Sequence, residues 1–459
     1  MKNFIQTIQN IFKIDDLRSR IVNTLLFLLV YRLAAHVVLP GIDPTQLAGL
    51  REQTSGGILG LLDAFSGGAF SQASVVALGI MPYISASIVV QLLGIAVPYF
   101  QKLQKEGESG RKKLNQITRI LTVIVVIFQA PGYLINLKAQ APGAIIAYTN
   151  PDIISPAFFM FMATLIIIAG TLFIMWLGER ITERGIGNGI SLIIFAGIVA
   201  RLPSAIYETA VGIKNQTYQP SEIMLLGIVM VAVLAAIVFV EKGQRRIPVQ
   251  YAKRVVGNQQ YGGQATHLPL KINVPGVIPP IFASTFLMFP ATIASFIQAD
   301  WMRSVQVILA PGSWRYEVLF VLLIIFFAYF YTAVQFNPVD VADNMRKFGG
   351  FIPGVRPGKA TADYIDFVLS RITFGGALYL SAVCVLPVAI QKLTSNQVPF
   401  YFGGTGLLIV VSVALDTVQQ IEGHFIGKQY DGISGGSALK IRARSDANKP
   451  SLSTAPASV

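Results

Sequence analysis

Few residues in this chain are placed to do covalent chemistry. Gly432, Ile433, Ser434 and Gly435 loosely match the glycine-flanked serine of a hydrolase nucleophile elbow. They lie in a polar C-terminal stretch, however, and read as a flexible turn. Cys384 is the single cysteine and sits inside an apolar run, so a disulfide framework or a cysteine metal cluster is excluded and a buried thiol is expected. The sequence holds no phosphate-cradling GxxxxGK[ST] and no zinc-binding HExxH. Beyond Arg32 near one end of the first and Asp416 near an end of the last, the interiors of the long apolar stretches hold almost no ionisable groups. Ion- and proton-coupled transporters bury carboxylates or histidines along their pathway. The residues therefore predict neither an enzyme nor a motor, and no cofactor; any transport would draw its energy from a partner.

The elements around these residues are set by composition. Of 459 residues, 53% are hydrophobic and 13% charged, with a mean hydropathy of +0.60. A soluble domain carries about 25% charged residues. Stretches such as 117–137, 157–178, 222–241 and 317–336 approach the length of about 20 apolar residues that a spanning helix needs. They lack the period-two alternation of a barrel strand, and only helices or closed barrels satisfy their backbone in lipid. An all-α membrane protein with ten spans follows: 21–40, 74–97, 117–137, 157–178, 186–206, 222–241, 274–297, 317–336, 372–391 and 402–421. The segment before them, with Phe4, Ile5, Ile8, Ile11 and Phe12 at helical spacing and Asp15-Asp16 at its end, reads as a surface-lying amphipathic helix and not a targeting signal.

Basic residues orient the spans. Alternate connections, beginning with the N-terminus, hold 28 of the 36 lysines and arginines. The other side has only Arg51, Lys138, Arg201, Lys214, Arg303, Arg315 and Lys392. The positive-inside rule then places both termini in the cytoplasm, in agreement with an even number of spans. Ten spans divide into halves of five, residues 21–206 and 222–421, joined by an external hinge at 207–221. An odd number per half permits inverted pseudo-symmetry, with a pathway where the halves meet.

Three stretches depart from plain spans. The first is Gly56 to Phe70 (extended to residue 72 as a structural unit), apolar but too short to cross and bracketed by glycine pairs. It reads either as a surface half-helix or as a segment folded back into the protein. The seventh span carries Pro275, Pro279, Pro280 and Pro290, a pattern of repeated breaks that suits a moving wall. The connections at 242–273 and 337–371 are long and basic. Their charge suits anionic lipid or a partner, and their length favours a docking surface for an acidic or RNA-rich partner. The tail from about Gly435 is expected to be disordered, within a C-terminal segment 422–459.

Particular strings carry a resemblance. GIMPYISASI (79–88), KEGESGRKK (105–113), WLGERITERGIGNGIS (176–191), EKGQRRIPVQYAKR (241–254) and THLPLKINVPGVIPPIFAS (266–284) are followed by FNPVDVADNMRKFGGFIPGVRPG (336–358) and VPFYFGGTGLLI (398–409). In these strings, over residues 15–430, the chain resembles the SecY/Sec61-alpha family of protein-translocation channels, in its bacterial branch. The resemblance implies a passive channel of the inner membrane, closed by a ring of apolar side chains: Ile80, Ile84, Ile190, Ile194, Ile281 and Ile409. An apolar constriction dewets and blocks ions while offering a passing chain no polar site. The resemblance also implies a plug comprising Gly60, Leu61, Leu62, Asp63, Ala64 and Phe65, with Asp63 in a wet external vestibule, and a lateral seam between the second and seventh spans that includes Ser85, Gln91 and Phe289. Gln91 reads equally well as an interhelical hydrogen bond. Arg245, Arg246, Lys253, Arg254 and Arg356 would dock the SecA ATPase or ribosomal RNA, with Arg356 coupling the motor. SecE and SecG are the implied membrane partners, and signal sequences and nascent chains the cargo. Pro280 and the length of the 131–156 connection depart from many relatives. A small-solute transporter and a non-conducting ribosome anchor are the competing classes.

Overall fold

A computed structural model describes residues 14–47, 57–149, 155–216, 220–251, 254–256, 259–261, 266–296, 308–309, 313–393 and 404–446. Each expected span holds a helix: Asp15–His36, Met81–Ala96, Glu108–Gln140, Pro156–Arg184, Gly189–Ala200, Pro220–Glu241, Ile278–Phe296, Trp314–Gln335, Lys359–Leu393 and Gly404–Asp446. Six helical stretches among the described residues are long and apolar enough to cross a membrane unaided, the fifth span counting together with the helix that follows it.

The differences from expectation have local causes. Ser74 bridges to Val38, residues 75–80 form turns, and the second helix starts at Met81, with Pro82 in its first turn where no donor is needed. It ends at Ala96; Pro98 starts a second helix, Pro98–Lys105, bent from the first by 99°. The third helix continues to Gln140, so the 131–156 connection is shorter than its sequence suggests, Pro131 notwithstanding. The fifth span breaks at Arg201, just before Pro203, and a second helix, Leu202–Lys214, carries the chain into the hinge. In the seventh span Pro275 precedes the helix, Pro279 and Pro280 occupy its first turn, and only Pro290 lies inside. Prolines in a first turn cost no hydrogen bond, so this wall has one break and not four. The tenth helix runs through Gly432–Gly435 to Asp446, with no proline before Pro450 to stop it. Residues expected to form a turn and a disordered tail are thus helical up to that point.

Strands also occur in the basic connections. β1 (Gln244–Tyr251), β2 (Arg254–Val256), β3 (Gln259–Tyr261) and β4 (Thr266–Lys271) occupy the first, and β5 (Gly350–Phe351) the second. A three-stranded sheet has the order β4-β1-β5, with Ile247 opposite Leu268 and Tyr251 opposite Gly350. Ile247, Leu270, Ile352 and Ile365 form a small core beneath it.

Packing divides the spans into two groups. The third helix packs on the second and fourth, and the fourth on the fifth; the eighth packs on the seventh and ninth, and the tenth on the sixth and ninth. The groups meet where the second span touches the seventh and the fifth touches the tenth. A large apolar cluster lies between them.

Candidate functional site: the apolar cluster where the halves meet

The cluster draws on isoleucines that the sequence scatters over 330 positions. Ile80, Ile84, Ile194, Ile281 and Ile409 are all buried in it, and Ile190 packs against it partly buried. Local chemistry fixes the elements that carry them. The Asn188 side chain caps the fifth helix by accepting from the Ile190 and Ser191 amides at 3.1 and 3.4 Å. Gly189 lies against the Gly178 carbonyl, where a Cβ would overlap it, so the fourth and fifth helices meet backbone to backbone. Thr24 of the first span ties this turn down, its hydroxyl accepting from the Ile186 amide at 3.0 Å.

The Gly57–Phe65 segment forms a short helix against the fifth span, so it folds back into the protein. Phe65 belongs to the same cluster as the isoleucines, and Leu62 packs against it. The backbones of Gly60 and Leu61 and the half-buried Ala64 complete the helix. Asp63 is not in a wet vestibule. Its exposure is 0%, its Oδ1 accepts from the Ser71 amide at 2.8 Å, and its Oδ2 lies 2.8 Å from Arg201 Nη2. The Arg201 contact is off the hydrogen-bond direction, so Oδ2 is compensated by charge and not by an aligned bond. A carboxylate can be buried here because a cation comes with it.

The first span contributes further ties. Tyr31 donates to the Ser66 carbonyl at 3.1 Å and Arg32 to the Gly67 carbonyl at 2.7 Å. Gly67 has φ +67°, and a Cβ on it would come within 2.7 Å of Gly197 Cα on the fifth span. The cation in the first span thus has a structural task. Tyr31, Tyr133 (which donates to the Phe70 carbonyl at 2.9 Å) and Arg201 were not singled out by sequence reasoning. Arg201 had a readable signal: it is one of the few cations on its side, placed where an apolar run ends.

The second and seventh helices are in contact. Ser85 donates to the Met81 carbonyl at 3.2 Å, within its own helix. Gln91 donates to Ser87 at 3.2 Å, also within the helix, and its Oε1 is buried without a hydrogen bond. The interhelical bond expected for Gln91 is therefore replaced by a local one. Phe289 lies on the seventh helix, with its side chain outside the described residues.

On the sheet, Arg245 and Arg246 are exposed on β1 opposite Leu270 and Pro269. Arg254 begins β2, its side chain outside the described residues, as is all of Lys253. Arg356 is exposed in the turn after β5, where its carbonyl accepts from Thr361 at 2.8 Å. At the base of the sheet, Glu241 Oε1 accepts from Asn273 Nδ2 at 2.7 Å and from Ser412 Oγ at 3.2 Å. Lys271 donates to Gln419 at 3.2 Å. The arrangement suits a closed apolar constriction backed by a short helix, with a basic platform anchored to the tenth helix.

Comparison with known proteins gives a consistent result. The SecY family model matches residues 74–418. The protein translocase subunit SecY of Pseudomonas aeruginosa is 47% identical over 431 residues, 93% of this chain and 95% of its own length. Among solved structures, a SecY whose plug domain is described as stabilising the closed state of the translocation channel superposes with a TM-score of 0.59 at 17% identity, over 88% of this chain and 91% of that one. Sec61 from the canine ribosome–channel complex of the endoplasmic reticulum gives 0.53 at 16% identity, with the same coverage. These two likenesses establish the fold alone.

Proposed function

The chain belongs to the SecY family, and from that premise we propose that it is the pore-forming subunit of a bacterial protein translocase. It is a passive channel of the inner membrane, with both termini cytoplasmic, that passes unfolded polypeptides and releases transmembrane segments sideways into lipid. Ile80, Ile84, Ile190, Ile194, Ile281 and Ile409 form its constriction, and residues 57–65 its plug. The observation that carries this reading is the gathering of those isoleucines, from both halves, into one buried cluster with Phe65 of the short helix against it. The seam between the second and seventh spans, near Ser85, Gln91 and Phe289, is the lateral exit; a single interior proline there suits a wall that bends.

The channel has no motor of its own. SecE and SecG complete the membrane complex, and the SecA ATPase or a translating ribosome drives it from the β1–β4 platform and the Arg356 turn. The exposed guanidinium groups of Arg245, Arg246 and Arg356 support such docking, with Lys253 and Arg254 alongside in sequence.

Reconstitution with SecE and SecG in liposomes, followed by SecA- and ATP-dependent import of a signal-bearing precursor, tests the proposal. Wild-type complex is expected to import; Arg356→Glu is expected to lose import while the complex stays assembled. Failure of wild type, with active SecA and verified orientation, would leave the ribosome-anchor reading ahead.

A further inference from the structure

The closed position of the Gly57–Phe65 helix depends on a charge supplied from the end of the fifth span, where the chain turns toward the hinge between the halves. We infer that Arg201 is a positioning residue for the plug, and that hinge movement controls its release through Asp63. This rests on the reading of residues 57–65 as a plug.

Asp63 is the one acidic group of the segment. Its carboxylate is wholly buried, with one oxygen satisfied by the Ser71 amide and the other facing Arg201 at 2.8 Å without an aligned hydrogen bond. The Arg201 side chain keeps 27% exposure and sits at the break between the fifth span and the Leu202–Lys214 helix that starts the connection. The two partners are thus unequal. Arg201 can turn to water at little cost, whereas Asp63 without it is a buried, uncompensated anion. The other polar ties, from Tyr31 and Arg32 of the first span and Tyr133 of the third, all go to neutral carbonyls. Gly67 meets Gly197 backbone to backbone, and Leu62 and Phe65 anchor the segment through apolar packing, which does nothing to offset the charge of Asp63. A hinge movement that withdraws the guanidinium therefore shifts the equilibrium toward the state in which Asp63 is hydrated, with the plug displaced.

Unequal partners give a prediction with a sign. In the complete membrane complex, Arg201→Gln is expected to raise resting ion conductance in planar bilayers by on the order of tenfold or more, since it leaves the anion buried. Import of a precursor with a defective signal sequence should rise with it. Asp63→Asn alone should leak less than Arg201→Gln, because the exposed cation tolerates losing its partner. Adding Asp63→Asn to Arg201→Gln should bring conductance back toward wild type. A double variant as leaky as Arg201→Gln would overturn the inference, because the defect would then not run through Asp63. Deletion of residues 57–65 separates the two readings. If the deletion leaks and Arg201→Gln does not, the latch is wrong and the plug stands. If the deletion is itself tight, the plug reading fails, and the latch with it.

Discussion

If the clustered isoleucines form the constriction, each has two requirements to meet: it must exclude water when closed and release a passing chain when open. A β-branched aliphatic group does both, since it offers no hydrogen bond to ions or peptide. Replacing Ile84 or Ile194 with Asn is expected to wet the constriction, raising resting conductance several-fold and admitting precursors with weakened signals; single-channel recording and an import assay check this. Silence in both assays would favour a non-conducting anchor. At this scale the sequence was only partly legible. An isoleucine inside a span looks the same whether it faces lipid, a neighbour or a pore, and only the resemblance singled these six out. Asp63 was misread because an acidic residue in an apolar segment invites the assumption of water. Its counter-charge lies 138 positions away at Arg201, a pairing no local pattern announces.

Helical elements were the most legible part of the chain, because lipid demands length and apolarity from each span. What the sequence blurred was where helices begin, bend and end. Pro98 produces a sharp bend, whereas Pro279 and Pro280 produce none, since a proline matters only where its missing donor was needed. In the seventh span that proline is Pro290, which leaves the Phe286 carbonyl without its helical donor. Pro290→Ala restores a donor for the Phe286 carbonyl and stiffens the helix; the effect of such a change in a helix interior is about 3 kcal/mol. Slower signal-dependent import with unchanged resting conductance is the expected outcome, measured as the rate of precursor protection in vesicles. The strands of the basic connections escaped notice because β1 and β4 alternate only weakly and β5 is two residues long.

For the molecule as a whole, charge is distributed by task. Most cations lie on the side that would face the cytoplasm, and the net charge is +13. If the platform meets ribosomal RNA, binding must weaken as salt rises, because each phosphate contact releases counterions. The double variant Arg245→Glu/Arg246→Glu is expected to lower ribosome affinity and flatten the slope of log K against log salt by about one per lost contact, measured by co-sedimentation over a salt series. An unchanged slope would move the contact elsewhere.

The Glu241 carboxylate is a second tie, beside Lys271–Gln419, between the foot of the sheet and the tenth helix. One of its oxygens holds both Asn273, at the foot of the sheet, and Ser412, three residues beyond Ile409 on the tenth helix. In mechanical terms the sheet is a lever arm and this oxygen its fulcrum. If the isoleucine cluster is the channel's constriction, a load on the exposed strands would act on it as torque about the tenth helix.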